Sequence, residues 1–330
     1  MSRSQTAIAA AVEQAAHVLG HEAGERQDAF RLRQRLPSRN SLVFFYDGVT
    51  SGASGIVAKL IHGAQGGQLA ESEARRLRDL ATHFRGGDGL RVPRLLACDP
   101  VHGIVVTEEV GGVRLDVLLR QALHLDRPAV GDAMDRAVVA CARAGRWLAR
   151  LHEIEIRSVA DVRPFLIARL DAAIERLAAI RITTWELERI RAYFLSVIDT
   201  DSGARPVLHH PDYSPYNVIV CDGGICVLDH SEVDVGHPAE AASFWWAHFE
   251  WLRLLPWIAH TRTAALQDVF LDALATGPLE PAWKRWGVVQ RLSYMTDVPA
   301  SGRHASARDW WQRFWRRRLM RWLRKQEWTT

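Results

Sequence analysis

No run of about twenty consecutive apolar residues occurs anywhere in the sequence, so a helix long enough to cross a bilayer is not expected. The first residues do not combine a basic start, a continuous apolar stretch and a small-residue cleavage site, and no secretory leader is expected either. Four cysteines, Cys98, Cys141, Cys221 and Cys226, lack the paired spacing of a disulfide framework or a zinc site. Cys221 and Cys226 flank a Gly-Gly turn and read as two small apolar strand residues in a reducing compartment. The fourteen histidines show no metal-ligand spacing. With no repeat and no low-complexity linker, the chain reads as an ordinary cytoplasmic globular protein. Its 330 residues suffice for two domains or one bilobal domain.

Charge is present but unevenly spread. Residues 241–330 carry fourteen Lys plus Arg against seven Asp plus Glu, whereas the whole chain is only +4, so the first 240 residues sum to about −3. Eleven of the thirteen tryptophans lie at or after Trp245. The last third is therefore basic and indole-rich.

Along the chain, Gln5 to Leu19 is an Ala-rich helix candidate stopped by Gly20. Three strand candidates follow: Ala29–Leu36, alternating apolar and basic residues, Ser41–Tyr46 and Gly55–Ile61, separated by turn-rich segments. Helical patterning runs from Glu71 to about Gly86-Gly87. Val92–Ala97 and Ile104–Thr107 read as further strands, and Gly111-Gly112 beyond them as either an inter-lobe hinge or a simple turn. From Leu115 to Ile198 nearly everything reads as helix. Asn217–Val220 and Ile225–Leu228 flank Asp222-Gly223-Gly224, a hairpin signal, and the chain beyond reads as helical.

The segment with the most chemistry is His210-Pro211-Asp212-Tyr213-Ser214-Pro215-Tyr216-Asn217, followed by Asp229 at the end of an apolar run. It supplies a candidate base and two candidate magnesium ligands. The hairpin places Asn217 at the start of one strand and Asp229 at the end of its partner, which brings the two oxygen donors together. Phosphoryl transfer depends on holding phosphates, on Mg²⁺ and on orienting one attacking oxygen, and such residues can do this.

These residues resemble the aminoglycoside phosphotransferase and choline kinase group of small-molecule kinases, in which a His-x-Asp-x-x-x-x-Asn loop precedes a strand ending in Asp. The resemblance implies an α+β, bilobal protein kinase-like fold with a small antiparallel sheet lobe and a larger helical lobe. The implied division is residues 1–107 for the nucleotide-binding lobe, 108–112 for the hinge and 113–330 for the helical lobe. It makes Asp212 the base that accepts or orients the substrate hydroxyl proton, makes Asn217 and Asp229 the Mg²⁺ ligands, and leaves His210 a structural role. Upstream, Val57-Ala58-Lys59 is similar to the phosphate-contacting strand lysine and Glu73 to its helix partner. Asn40 is similar to the polar residue of the phosphate-covering turn, although the G-x-G-x-x-G pattern of protein kinases is missing. Glu108 and Val110 of the hinge complete the implied nucleotide contacts. Gly145–His152 is similar to a core helix, with His152 a buried structural residue.

Three departures stand out. Pro211 replaces a common glycine, His230 follows Asp229 where an aromatic or apolar residue is usual, and Ala241 replaces the aspartate that braces the catalytic loop, with Glu240 one position off. The expected activity is transfer of a phosphoryl group from ATP or GTP, with Mg²⁺, to a hydroxyl of a small molecule or glycan. An aminoglycoside is the alternative acceptor, and a non-catalytic pseudokinase or scaffold the alternative function. Protein phosphorylation is disfavoured because no Ala-Pro-Glu signature follows Asp229. Trp245, Trp246, Trp251 and Trp257 fall where this family builds its acceptor pocket, and indole faces suit a quaternary ammonium or a sugar ring. Trp245 and Trp246 cannot share one helix face, so at least one belongs to the core, and the basic last third argues mildly against cationic aminoglycosides.

Trp311, Phe314, Trp315, Leu319, Trp322 and Leu323 recur at helical spacing opposite Arg313, Arg316, Arg317, Arg321 and Arg324. Such a basic amphipathic helix docks on the helical lobe, contacts the anionic inner membrane surface as a peripheral anchor, or meets a nucleic acid or protein partner. There is no strong nucleic-acid signal.

Overall fold

A computed structural model describes residues 3–19, 29–37, 41–49, 55–125, 131–156, 159, 161–179, 182–201, 203–231, 233–275, 277, 279–294, 314, 317, 318, 320–322, 324, 325 and 328. The chain divides into two compact units: Met1–Val113 with Asn217–Val233, and Arg114–Tyr216 with Asp234–Thr330.

Unit 1 is built on an antiparallel sheet of β1 (Phe30–Pro37), β2 (Ser41–Gly48), β3 (Ile56–Ile61), β6 (Ile104–Glu108) and β5 (Leu95–Asp99), in the order β1-β2-β3-β6-β5. The apolar–basic alternation of β1 buries only Phe30: Leu32 and Leu36 are exposed, and the arginines between them charge an edge strand that would otherwise invite pairing. Helix α1 (Arg3–Val18) buries Ala7, Ile8, Ala11, Val12, Ala15 and Ala16 in a core shared with Phe44, Ala58, Leu96 and Val106. The small alanine stripe lets this helix lie close to the strands.

Helix α2 (Gly66–His83) begins five residues before the sequence pattern suggests. Gly66 and Gly67 are poor helix formers, which hid this turn, but a side chain at Gly67 would collide with the Pro100 carbonyl. The Val92–Ala97 strand is also shifted. Pro93 cannot donate to a ladder, so the chain splits into β4 (Leu90–Arg91), which joins a second sheet, and β5. The predicted hairpin forms as β9 (Val218–Cys221) and β10 (Gly224–Val227), with Val218 opposite Val227. That sheet runs β4-β10-β9-β7, with β7 at Val113–Arg114. The parallel pairing of β10 with β4 groups residues 217–233 with the sheet unit, whereas the sequence division placed them with the helices. Cys221 faces Gly224 and Cys226 faces Ile219 in this ladder, and both are free thiols.

Unit 2 holds α3 (Leu115–Leu123), α4 (Gly131–Glu153), α5 (Arg163–Ala178), α6 (Thr184–Thr200), α7 (Pro238–Arg253), α8 (His260–Leu274) and α9 (Pro281–Tyr294). Helix α6 starts with a Thr183/Glu186 capping box. A side chain at Gly287 of α9 would run into the Ser243 carbonyl of α7, so this glycine sets how closely the two helices approach. Two strands were not foreseen: β8 (Val207–His209) and β11 (Asp234–Gly236) pair antiparallel. At three residues each they are too short for periodicity to reveal. Asn40 and half of the C-terminal basic segment 310–325, including Trp311, Trp315 and Arg316, lie outside the described residues. No helix among the described residues is long and apolar enough to cross a membrane.

Candidate functional site

In unit 1, β3 presents Lys59 and α2 presents Glu73. Lys59 Nζ donates to Glu73 Oε2 at 3.0 Å and to Asp229 Oδ1 at 2.7 Å. Burial opposes the lysine charge, but the two carboxylates more than offset it and hold the ammonium above its ordinary range. Glu73 is 6% exposed, and burial pushes its carboxyl up against the opposing field of Lys59.

Asp229 follows β10 and is one of only two non-glycine residues with positive φ among those described, at φ 62°. A non-glycine residue in this region carries strain of order 1 kcal/mol. The left-handed turn ends the strand and leaves the Asp229 side chain 45% exposed. Asn217 closes a single 3₁₀ turn, Pro215–Asn217, and its carbonyl accepts from Leu228 N at 2.8 Å. The hairpin register thus places Asn217 directly opposite the residue before Asp229. His230 is buried with Nε2 2.9 Å from the Val227 carbonyl, so it faces the strand end. Glu108 is engaged at the end of β6: its N–H donates to the Arg94 carbonyl at 3.0 Å and its Oε1 accepts from Arg94 N at 3.2 Å. Val110 is half-buried in the following segment.

In unit 2, β8 leads directly into the loop that carries Asp212. Asp212 is half-buried, with Ser214 Oγ 3.5 Å from its Oδ1. Its neighbours anchor the loop. Tyr213 is fully buried between Trp147 of α4 (ring centroids 5.5 Å, 11°) and Trp245 of α7 (5.3 Å, 26°), and its hydroxyl donates to the Ala144 carbonyl at 2.7 Å. His210 meets the edge of Trp147 at 6.4 Å. Trp245 also stacks on Phe270 at 4.4 Å and is fully buried, so it is the member of the Trp pair that belongs to the core. Burial lowers the His152 imidazole to about 4, with the charge of His237 a further cause.

Glu240 stands one position before Ala241, where the expected aspartate is missing. Ala241 itself is fully buried, and Glu240, 2% exposed, accepts from the His237 N–H at 3.0 Å and from Arg169 Nη1 at 2.6 Å. Arg169 of α5 also donates to the Val235 carbonyl of β11. One ion pair thus ties α5, the start of α7 and the strand partner of β8, from which the Asp212 loop emerges. Burial raises the Glu240 carboxyl, and Arg169 opposes that rise. The sequence reading missed Arg169. Its only signal is an arginine within the apolar spacing of α5, between Leu166 and Leu170.

The residues fit a magnesium ion in part. Asn217 and Asp229 are hard oxygen donors on one hairpin, and Mg²⁺ characteristically takes one or two protein oxygens and completes its shell with water and phosphate. Among the described residues no group of three His, Cys, Asp or Glu side chains forms an all-protein metal cage.

A profile of the phosphotransferase enzyme family matches residues 35–286. The sequence finds no match among curated proteins. Solved structures do share the fold. An aminoglycoside phosphotransferase, APH(2")-IIa in a ternary complex with streptomycin and ATP, is 14% identical with TM-score 0.57 over 90% of this chain and 92% of that one. Macrolide 2'-phosphotransferase MphH from Brachybacterium faecium is 18% identical, TM-score 0.54, over 91% and 93%. A choline/ethanolamine kinase family protein from Mesorhizobium loti is 14% identical, TM-score 0.57, over 97% and 94%. Their common kinase-like architecture is that of this chain, and with most of its length inside the family profile the chain belongs to the phosphotransferase enzyme family.

Proposed function

We propose that the protein transfers the γ-phosphoryl group of ATP, with Mg²⁺, to a hydroxyl of a small molecule or glycan. The observation that carries this reading is Lys59 Nζ held between Glu73 at 3.0 Å and Asp229 at 2.7 Å. A cation fixed in this way and kept fully protonated is suited to nucleotide phosphates, and the exposed side of Asp229 would suit a metal ion that neutralises their charge. The nucleotide-bearing relative, APH(2")-IIa with ATP, supports nucleotide use.

In this reading Lys59 binds the α/β-phosphates, with Glu73 orienting the ammonium. Asn217 and Asp229 would hold Mg²⁺, which when bound neutralises charge on the phosphates. Asp212 accepts the acceptor's hydroxyl proton as the oxygen–γ-phosphorus bond forms and the bond from the γ-phosphorus to the β,γ-bridging oxygen breaks, releasing ADP. Glu108 and Val110 contact the nucleotide. The Arg169–Glu240 pair supplies the brace whose loss at Ala241 motivates a scaffold reading, and so favours an active enzyme.

Purified protein with ATP and Mg²⁺, offered sugars, aminoglycosides, amino alcohols, hydroxy acids and glycans, should release ADP with at least one acceptor. Asp212→Asn should abolish that turnover while leaving nucleotide binding in place. Unchanged turnover in this variant sinks the assignment.

A further inference from the structure

Arg291 lies on the buried face of α9 and is 6% exposed, yet among the described residues no carboxylate forms an ion pair with it. Its guanidinium carbon sits 4.5 Å from the ring centre of Trp251, 5.2 Å from Phe244 and 5.8 Å from Tyr216, and its Nε makes no hydrogen bond. Aromatic faces replace only part of the hydration a guanidinium loses on burial. Burial works against its charge, opposed only by the fields of Tyr216 and, more weakly, Asp212.

His248 of α7 stands beside it, 1% exposed, against Tyr216 at 5.2 Å and Trp251 at 5.6 Å. Neither of its ring nitrogens has a hydrogen-bond partner among the described residues. Burial and the charges of Arg291 and Arg120 keep the ring neutral, which leaves one N–H to donate. Charge around Tyr216 is one-sided as well: the fields of Arg291, Arg120 and Arg114 reach it against that of Asp116 alone. Asp116 is itself buried and already shared by Arg114 and Arg120. A positive excess therefore adjoins the Asp212 loop within unit 2.

We propose that this cluster is a specificity site for an anionic acceptor: Arg291, assisted by His248, pairs with a carboxylate or phosphate monoester on the part of the acceptor that does not react. The proposal rests on the phosphotransferase reading for the word acceptor. A planar fork of N–H groups suits two oxygens of one oxyanion, and the aromatic faces hold the guanidinium in one orientation. Polycationic acceptors are disfavoured at the same place.

The first arm needs no turnover. Inorganic phosphate and acetate are titrated separately into wild type, Arg291→Gln and Lys59→Gln, following the thermal midpoint. At least one anion should raise the midpoint of wild type and of Lys59→Gln, and raise that of Arg291→Gln much less. No response in wild type to either anion, or a response kept in Arg291→Gln and lost in Lys59→Gln, overturns the site. Should Arg291→Gln not fold, Arg291→Lys takes its place, with a weakened response expected and an unchanged one overturning the proposal. The second arm compares matched alcohols on wild type with ATP and Mg²⁺: glycerol, glycerate and glycerol phosphate, and sorbitol with gluconate. The charged member should be preferred by about ten-fold or more in kcat/KM, the size of one charge-assisted hydrogen-bonded contact. Preference for neutral or cationic alcohols overturns this inference while leaving phosphoryl transfer intact. If no alcohol is phosphorylated the anion titration decides alone, with acetate against phosphate separating carboxylate from phosphate.

Discussion

Lys59 Nζ donates to Asp229 Oδ1 across 2.7 Å, joining two residues 170 positions apart in the chain. The same ammonium serves the buried Glu73, so these residues form one electrostatic unit. Lys59→Met should leave Glu73 desolvated and unpaired and cost about 2 kcal/mol by urea unfolding. Adding Glu73→Met should recover part of that loss, and additive effects in the double-mutant cycle would show the pair to be uncoupled.

Asp229→Asn keeps the shape and removes the charge. It should reduce kcat/KM at least about a hundredfold and abolish the Mg²⁺-dependent part of the thermal shift given by ATP. An intact Mg²⁺-dependent shift would remove Asp229 from the metal site.

Glu240 and Arg169 make the brace near the Asp212 loop. Glu240→Ala should cost about 3 kcal/mol, because Arg169 loses its partner and the His237 N–H its acceptor. Glu240→Gln retains an acceptor for that N–H and should cost less. Equal losses in the two variants would argue against capping as part of the role.

Tyr213→Phe should cost about 1 kcal/mol through the hydrogen bond to the Ala144 carbonyl, and Trp147→Ala about 3–5 kcal/mol through the cavity beneath the loop. Both should lower turnover more than nucleotide affinity. A Trp147→Ala protein with wild-type stability would contradict the packing.

Acid should destabilise the fold before the carboxylates titrate. His152 is held at about 4 against an ordinary 6.5, so between these values the unfolded chain binds a proton that the folded protein refuses. Its contribution is complete above pH 6.5 and is lost as pH falls towards about 4. His152→Gln should flatten the fall in stability between pH 7 and 4.5 by on the order of 2 kcal/mol, measured by urea midpoints.

Much of this was legible in order along the chain. The β2, β3 and β6 strands, the α4 to α6 helices and the β9–β10 hairpin all show local periodicity or turn chemistry that depends on neighbours in sequence. The motif His210 to Asn217 with Asp229 is legible for the same reason: its residues share one loop and one hairpin. Strands β8 and β11 were not, since three residues carry no period and each is stable only against the other.

By itself the sequence determined the family, the sheet-then-helix order and the hairpin that joins Asn217 to Asp229, because each rests on short-range spacing. Tertiary structure decided what long-range contacts alone can decide. Glu240 has an ion-pair partner only because α5 brings Arg169 to it. Arg291 is just one of many arginines in a basic third until the fold closes aromatic rings around it and leaves it without an ion-pair partner among the described residues, since burial and partnership belong to the folded packing and not to the residue.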